Sequence, residues 1–403
     1  MLNRRNFVVT ATALAVALAY GHAAAQNKYD PGASDKEIKI GNTNPYSGPA
    51  SAYGTIGKAI GNYFRMVNDQ GGVNGRKINY ISLDDGYSPP KTVEQTRKLV
   101  EQEQVLLVFQ SLGTPTNSAI HKYMNQKKVP HLFVATGASK WGNPKEFPWT
   151  MGWQPSYPSE SKIYVRYLEK EKPNAKIAIL YQNDDYGKDY LHGFLDALGP
   201  KAKTMVVAQL PYEVTDPTVD SQIIKLKDTG ADVFFNITTP KFAAQAIRKA
   251  ADIGWKPLHL LNNVSSSVGA VLTPAGLDKS VGLITSAYIK DATDPQWHKD
   301  ADYIAWNAWM DKYYPDGDKK SSFNVYGYSV AYTMTEVLKR AGNDLTRANI
   351  MKVASNLKAM EFPMALPGVK IDTSPTNFFP IECQKLAKFD GKKWELFGEV
   401  ICP

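Results

Sequence analysis

Hydrophobic and polar positions recur in one order along most of the chain: a short apolar run, a polar turn, then apolar residues every three or four positions. Ile38–Pro45 reads as a strand and Tyr46-Ser47-Gly48-Pro49 as its turn, while Ile56, Ile60, Phe64 and Val67 mark one face of an amphipathic helix stopped by Gly71-Gly72. Gly57 and Gly61, one helical turn apart, predict close packing of that helix on the sheet. The cycle repeats as strand Ile78–Leu83, turn Asp84-Asp85-Gly86 and helix Pro89–Gln102, then as Val105–Phe109, Pro115–Asn125 and Val129–Val134. Strict alternation of this kind predicts a parallel sheet wound by right-handed crossovers.

A Trp- and Pro-rich passage, Trp141–Pro158, breaks the rhythm, which then restarts. Strands are predicted at Lys176–Tyr181, Thr204–Leu210, Asp232–Ile237 and Leu258–Leu261, with helices at Tyr186–Leu198, Val219–Thr229 and Phe242–Ile253 between them. Gly282–Tyr288 would return the chain to the first unit, where helical patterns cover about 295–313, 323–341 and 346–359. The expected organisation is two α/β lobes, 36–152 with 286–365 and 153–285 with 366–403. In such sheets ligands lie beyond the carboxyl ends of the strands, so the cleft between the lobes is the expected site.

Composition adds compartment. The 403 residues are 43% hydrophobic and 21% charged, enough for two cores. Arg4 and Arg5 precede an uncharged run, Phe7–Tyr20, that ends in Ala23-Ala24-Ala25 before Gln26, the order of a cleavable export signal over residues 1–25. The Sec route and, from Asn3-Arg4-Arg5-Asn6-Phe7-Val8, the twin-arginine route are both open. Removing the signal lowers the formal charge from +8 to +6, since it carries two arginines and no acid. Basic residues form no stripe interleaved with aromatics, so no nucleic-acid partner is expected. Cys383 and Cys402 flank a predicted hairpin, Lys385–Phe389 and Trp394–Val400, and an oxidising compartment favours a disulfide between them. Simple register sets Cys383 opposite Val400, so the bond requires a bulge or a frayed end.

No catalytic residue, metal site or cofactor is expected. The nucleophile elbow, phosphate loop, dinucleotide turn and His-Glu-x-x-His are all absent from the sequence. His121 and His131 read as a helix-surface and a strand-start residue, and Asp84-Asp85 and Asp184-Asp185 as solvated turn residues or caps. Two polar turns stand out. Ser111-Leu112-Gly113-Thr114 leads from a buried strand into a helix, with Thr114 or Ser111 able to cap it, and Ala135–Ser139 closes the next strand. Free N–H groups at such a helix start welcome a carboxylate. Tyr46, Tyr53, Tyr186, Tyr326 and Tyr328 stand near strand ends, turns or late helices and together would make an aromatic cage.

Ile38–Pro49, Tyr53-Gly54, Asn68–Gly75, Asp84-Asp85, Lys176–Leu180 with Asp185-Tyr186-Gly187, and Gly230–Val233 resemble, in order, the periplasmic leucine/isoleucine/valine-binding family. These are type I solute-binding proteins of ABC importers. The resemblance implies two Rossmann-like lobes on a three-stranded hinge, closing around a solute that is handed to a membrane permease, with a monomer expected. In amino-acid binders the turns matching Leu112, Gly113, Thr114 and Thr136, Gly137, Ala138, Ser139 hold the ligand carboxylate. A serine of the first turn is replaced here by Gly113. An aromatic residue matches Tyr53, a Tyr-Gly turn matches Tyr186, and a second-lobe tyrosine becomes Thr238; Asn262 and Tyr326 complete the implied set. Where the family carries an acid that pairs with the ligand ammonium, this chain has Val264, and Leu260–Ser265 contains no acid.

A buried ammonium without a carboxylate costs several kcal/mol. The expected ligand is therefore a small carboxylate, aromatic in type, with amino acids, amides and urea-like solutes as alternatives. An enzyme lacks its signature here, and a sensor domain on the same fold is the third reading.

Overall fold

The computed structural model describes residues 28–402; the export signal expected over residues 1–25 lies outside them. The first sheet is wholly parallel. Its strands are β1 (Glu37–Asn44), β2 (Lys77–Asp84), β3 (Leu107–Phe109), β4 (His131–Val134) and β5 (Thr150–Gly152), in the order β2-β1-β3-β4-β5. Helices α1 (Gly54–Asp69), α2 (Pro89–Arg97) and α3 (Thr114–Lys127) are its crossovers. Both faces are covered, and successive residues serve different cores: Leu107 and Phe109 join the large first-lobe core, Val108 a smaller one with Ile120 and Met124. That is why β3 reads as an unbroken apolar run.

The second sheet repeats the logic. After α4 (Tyr157–Glu171) come β6 (Ile177–Gln182), α5 (Asp185–Leu198), β7 (Val206–Tyr212), α6 (Asp220–Asp228), β8 (Val233–Ile237), α7 (Pro240–Asp252), β9 (Leu258–Leu261) and β10 (Ile284–Ala287). Ile177, Ile179 and Phe235 pack under α4 and α5, while Ala178, Leu180 and Phe234 pack with α6 and α7 residues on the other face. Each fully buried Ile, Leu or Phe among these contributes about 1.5–3 kcal/mol. The hairpin β11 (Gln384–Phe389) and β12 (Trp394–Ile401) completes the sheet, in the order β12-β11-β10-β9-β8-β6-β7, with the last two strands antiparallel.

Between β10 and the hairpin the chain visits the first lobe, where α8 (Ala301–Tyr313), α9 (Ser322–Ala341) and α10 (Arg347–Ala354) pack, α9 lying along α1. The helix expected from 295 starts at Ala301, because Asp300 accepts the N–H groups of Asp302 and Tyr303. The helix expected to reach 359 ends at Ala354; there the Thr373 hydroxyl donates to the Ala354 carbonyl and accepts the Leu357 N–H. Leu366, Val369, Ile371, Phe378 and Ile381 remain in the first core, so the last crossing falls near residue 382 and not at 366.

Cys383 and Cys402 are bonded, with Cα atoms 4.2 Å apart. Leu386 pairs with Phe397 but Gln384 with Ile401, so β12 carries two extra residues, and Gly398 within them has φ +68°. This bulge carries Cys402 into reach of Cys383.

Candidate functional site

The turn after β3 owes its shape to Gly113, whose φ of +99° suits a residue without a side chain. Gly113 is also the N-cap of α3. No side chain caps this helix, contrary to the expectation for Thr114 or Ser111. The hydroxyls are used elsewhere: Ser111 Oγ lies 2.8 Å from Thr43 Oγ1, and Thr114 Oγ1 lies 2.6 Å from Thr136 Oγ1. Thr136 Oγ1 also accepts from the Ala138 N–H, from Trp141 Nε1 at 3.1 Å and from the Tyr157 hydroxyl at 3.2 Å.

A Cβ on Gly113 would lie 2.4 Å from the Tyr87 ring. Tyr87 has φ +60° and is pinned by Asp85, whose carboxylate accepts the Tyr87 N–H at 3.0 Å and the Thr92 hydroxyl at 2.8 Å. Asp85 is fully buried, not solvated as the sequence suggested, and burial pushes its carboxyl up to about 6. Its neighbour Asp84 is held low: modest desolvation is outweighed by donors from Ser47, Gly86 and Lys91. Asp184, by contrast, does cap α5, accepting from Tyr186 and Gly187 N–H groups.

In the second lobe the Tyr186 hydroxyl is hydrogen-bonded to the Asn262 amide. With that amide's oxygen facing the phenol, its nitrogen reaches the Asn236 and Thr238 carbonyls at 3.0 and 3.2 Å. Tyr157 stacks on Tyr190 at 4.2 Å and meets Tyr186 edge-on at 5.4 Å. Beneath the loop 262–266 lies Glu160, accepting from the Tyr164 and Tyr190 hydroxyls at 2.7 Å and the Asn263 N–H at 2.8 Å. Burial raises this carboxyl to about 7 against those three donors.

The lobes touch across the cleft. Tyr53 donates to the Val264 carbonyl at 3.0 Å, Ser118 to Asp185 at 3.1 Å, and Lys140 pairs with Asp185 at 2.5 Å. Ser139 donates to Asp189 from both its N–H and its hydroxyl, at 2.8 and 2.7 Å.

Between them lies a cavity of about 100 Å³. Of the residues singled out from the sequence, Tyr53, Leu112, Gly113, Thr114, Tyr186, Val264 and Tyr326 line it. Thr136, Gly137, Ala138, Ser139, Thr238 and Asn262 are outside that lining. Thr136 and Ser139 are engaged as described, Gly137 packs under Tyr157, and Thr238 donates to Asn236 at 2.6 Å. Tyr46 and Tyr328 also leave the expected cage: Tyr46 bonds Ser82 at 2.5 Å, and Tyr328 packs against Tyr63 and Trp309. Sequence reasoning missed Tyr87, Tyr157, Tyr288, Trp297, Phe323 and Trp394, which bring more rings to the lining. Tyr87 alone carried a signal, as the residue after the Asp-Asp-Gly strand end.

The second lobe and hinge are not free of acid, as expected from Val264, because Asp291 contributes to the lining. Its carboxylate accepts from the Thr293 N–H at 3.0 Å, the Thr293 hydroxyl at 2.7 Å and the Trp394 N–H at 3.1 Å. Lys290, the lining cation, is paired with Asp300 at 2.7 Å and Asp302 at 3.0 Å. His121 is no surface residue: it is stacked on Phe147 at 3.7 Å, and burial lowers its pKa to about 4. Among the described residues no cluster of side chains is arranged to hold a metal ion.

The profile of a family described as periplasmic binding protein matches residues 37–393. A Leu/Ile/Val-binding protein homolog 1 of Brucella suis biovar 1 (strain 1330) is 23% identical over 348 residues, covering 84% of this chain and 85% of the relative. A branched chain amino acid ABC transporter protein from Thermus thermophilus with bound valine superposes with a TM-score of 0.82 at 17% identity, over 92% of this chain and 98% of that one. A fatty acid ABC transporter substrate-binding protein from Thermomonospora curvata gives 0.77 at 22% identity, over 94% and 95%.

Proposed function

The chain belongs to the periplasmic binding proteins, in the leucine/isoleucine/valine-binding family of non-enzymatic ABC-transporter solute binders, and from that premise we propose that its own solute is a small monocarboxylate with an aromatic body. The protein takes this solute into the interlobe cleft and delivers it to the importer's permease, after export with cleavage near Ala25.

One observation carries the reading: of the two charged groups in the lining, Lys290 is paired with Asp300 and Asp302, and Asp291, whose carboxyl burial holds above its ordinary range, turns its oxygens to Thr293 and Trp394. An α-ammonium brought into this cavity would have to draw Asp291 away from those donors to gain a counter-charge, and without it would cost several kcal/mol. A carboxylate has a place at the uncapped start of α3, where Gly113 and Thr114 line the cavity and the helix dipole is positive. Tyr53, Tyr87, Tyr157, Tyr186 and Tyr326 offer ring faces and edges to an aromatic body. The fatty-acid protein among the structural neighbours is named for a carboxylate without an ammonium, in keeping with this choice.

An amino acid is the second reading, favoured by the relatives' names and by the valine-bound neighbour. A thermal-shift screen of carboxylates, amino acids and amides separates the two. Aromatic carboxylates at a hundred times their dissociation constant should stabilise by about 2.7 kcal/mol. Shifts confined to amino acids would overturn the proposal.

A further inference from the structure

Two strand ends of the first lobe carry a glutamine. Gln110 follows β3, Gln154 stands two residues after β5, and the hydroxyl of Tyr326, on α9, lies between their amides. Gln110 is fully buried and its Nε2 donates to the Phe133 carbonyl, which identifies the nitrogen; turned over, the amide would set oxygen against oxygen. The same nitrogen reaches the Tyr326 oxygen at 3.3 Å. Burial raises the Tyr326 phenol above its ordinary range, so it keeps its proton and donates it to Gln154 Oε1 at 3.1 Å. With its oxygen taken, the Gln154 amide has only N–H groups left to offer.

Those N–H groups are open to the cavity. Gln154 lines it and is 8% exposed. Among the described residues its Nε2 has no hydrogen-bond partner, yet it is not sealed from solvent as the unpartnered Gln110 oxygen is. The donor is also held in place. Trp153, beside it, donates from its ring to the Thr333 hydroxyl at 3.2 Å and meets the Tyr326 ring edge-on at 5.0 Å. At the other end of the relay Gln110 and Phe133 have φ of +58° and +55°, a left-handed conformation that residues other than glycine keep only where their surroundings impose it.

We propose that Gln154 is a specificity-determining residue whose Nε2 donates to a hydrogen-bond acceptor on the ligand ring, so that the solute is an aromatic monocarboxylate carrying such an acceptor, a ring nitrogen or a ring oxygen substituent. The proposal rests on the carboxylate reading above and adds a second polar point to it. The carboxylate has its own place at the start of α3, and the acceptor is a separate group of the ligand. A hydroxyl in the wall turns to donate or to accept, whereas the relay from Gln110 through Tyr326 fixes Gln154 as a donor. Gln110 is accordingly a positioning residue, acting through Tyr326.

Calorimetry at pH 8 with 3-phenylpropionate and its three pyridyl counterparts is the test. In these an unprotonated ring nitrogen, ortho, meta or para, replaces a CH group without adding volume. At one of the three positions the pyridyl acid should bind about threefold or more tightly than 3-phenylpropionate, the return on one hydrogen bond. In Gln154→Met that ratio should fall about tenfold, because the ring nitrogen is then buried without a donor. Tyr326→Phe, which keeps the ring and releases the Gln154 oxygen, should lower the ratio by less. No gain at any ring position, or a gain kept in full by either variant, would overturn the role of Gln154, while binding of 3-phenylpropionate leaves the carboxylate reading in place. No binding by any of the four acids would overturn that reading and this proposal with it.

Discussion

At the residue scale, the site turns on a pair that replaces the expected serine. Gly113 was recognisable as a special backbone position because it stands between a buried strand and a helix. What could not be read was why: the space a side chain would fill belongs to the Tyr87 ring, which arrives from a different strand end. Gly113→Ala should therefore act twice. It places an alanine at φ +99°, a strain of about 1–3 kcal/mol, and it pushes the Tyr87 ring out of the cavity wall. Denaturation should show the stability loss, and calorimetry a weaker aromatic carboxylate. The combined Gly113→Ala, Tyr87→Ala variant should lose less stability than the sum of the two single losses, since the clash with the ring is present in only one of them; additive losses in that cycle would refute the pairing. Thr136 and Ser139 teach the complementary lesson: hydroxyls in a promising turn were legible, but their capture by Trp141, Tyr157 and Asp189 depends on elements far away in sequence.

Among the elements, α4 supports the binding loop through Glu160. Its carboxyl, raised to about 7 by burial, keeps its proton more readily in the folded chain than in the unfolded one. Its contribution to stability is therefore full below the ordinary glutamate range near 4.5 and declines as pH rises through about 7. Buried histidines such as His131, lowered to about 3, slope the other way, so the comparison must be made against a variant. Denaturant titrations at pH 5 and pH 8 should show that Glu160→Gln flattens this loss. An unchanged difference between the two pH values would remove Glu160 from the account. The carboxyl-terminal hairpin was legible down to its turn and its mispaired cysteines. The bulge that resolves the mismatch was not placeable, because Gly398 differs from any other strand glycine only through its backbone angle.

On the scale of the whole molecule, the alternation of strand and helix was legible because parallel strands covered on both faces must be apolar throughout. The crossings were less so. Residues 285–291, Trp297 and Trp394 follow neither a helical nor a strand period as a group, yet they line the cavity from cleft to hinge. They also add Asp291, an acid that an argument confined to Val264 overlooked, whose oxygens accept from Thr293 and Trp394. The central claim is that the cleft accepts a carboxylate and rejects the ammonium beside it. 3-Phenylpropionate and phenylalanine differ only by that amino group, so calorimetry on this pair tests it most directly. The account predicts that 3-phenylpropionate binds at least about tenfold more tightly, a difference of about 1.4 kcal/mol or more. Equal or tighter binding of phenylalanine would contradict it.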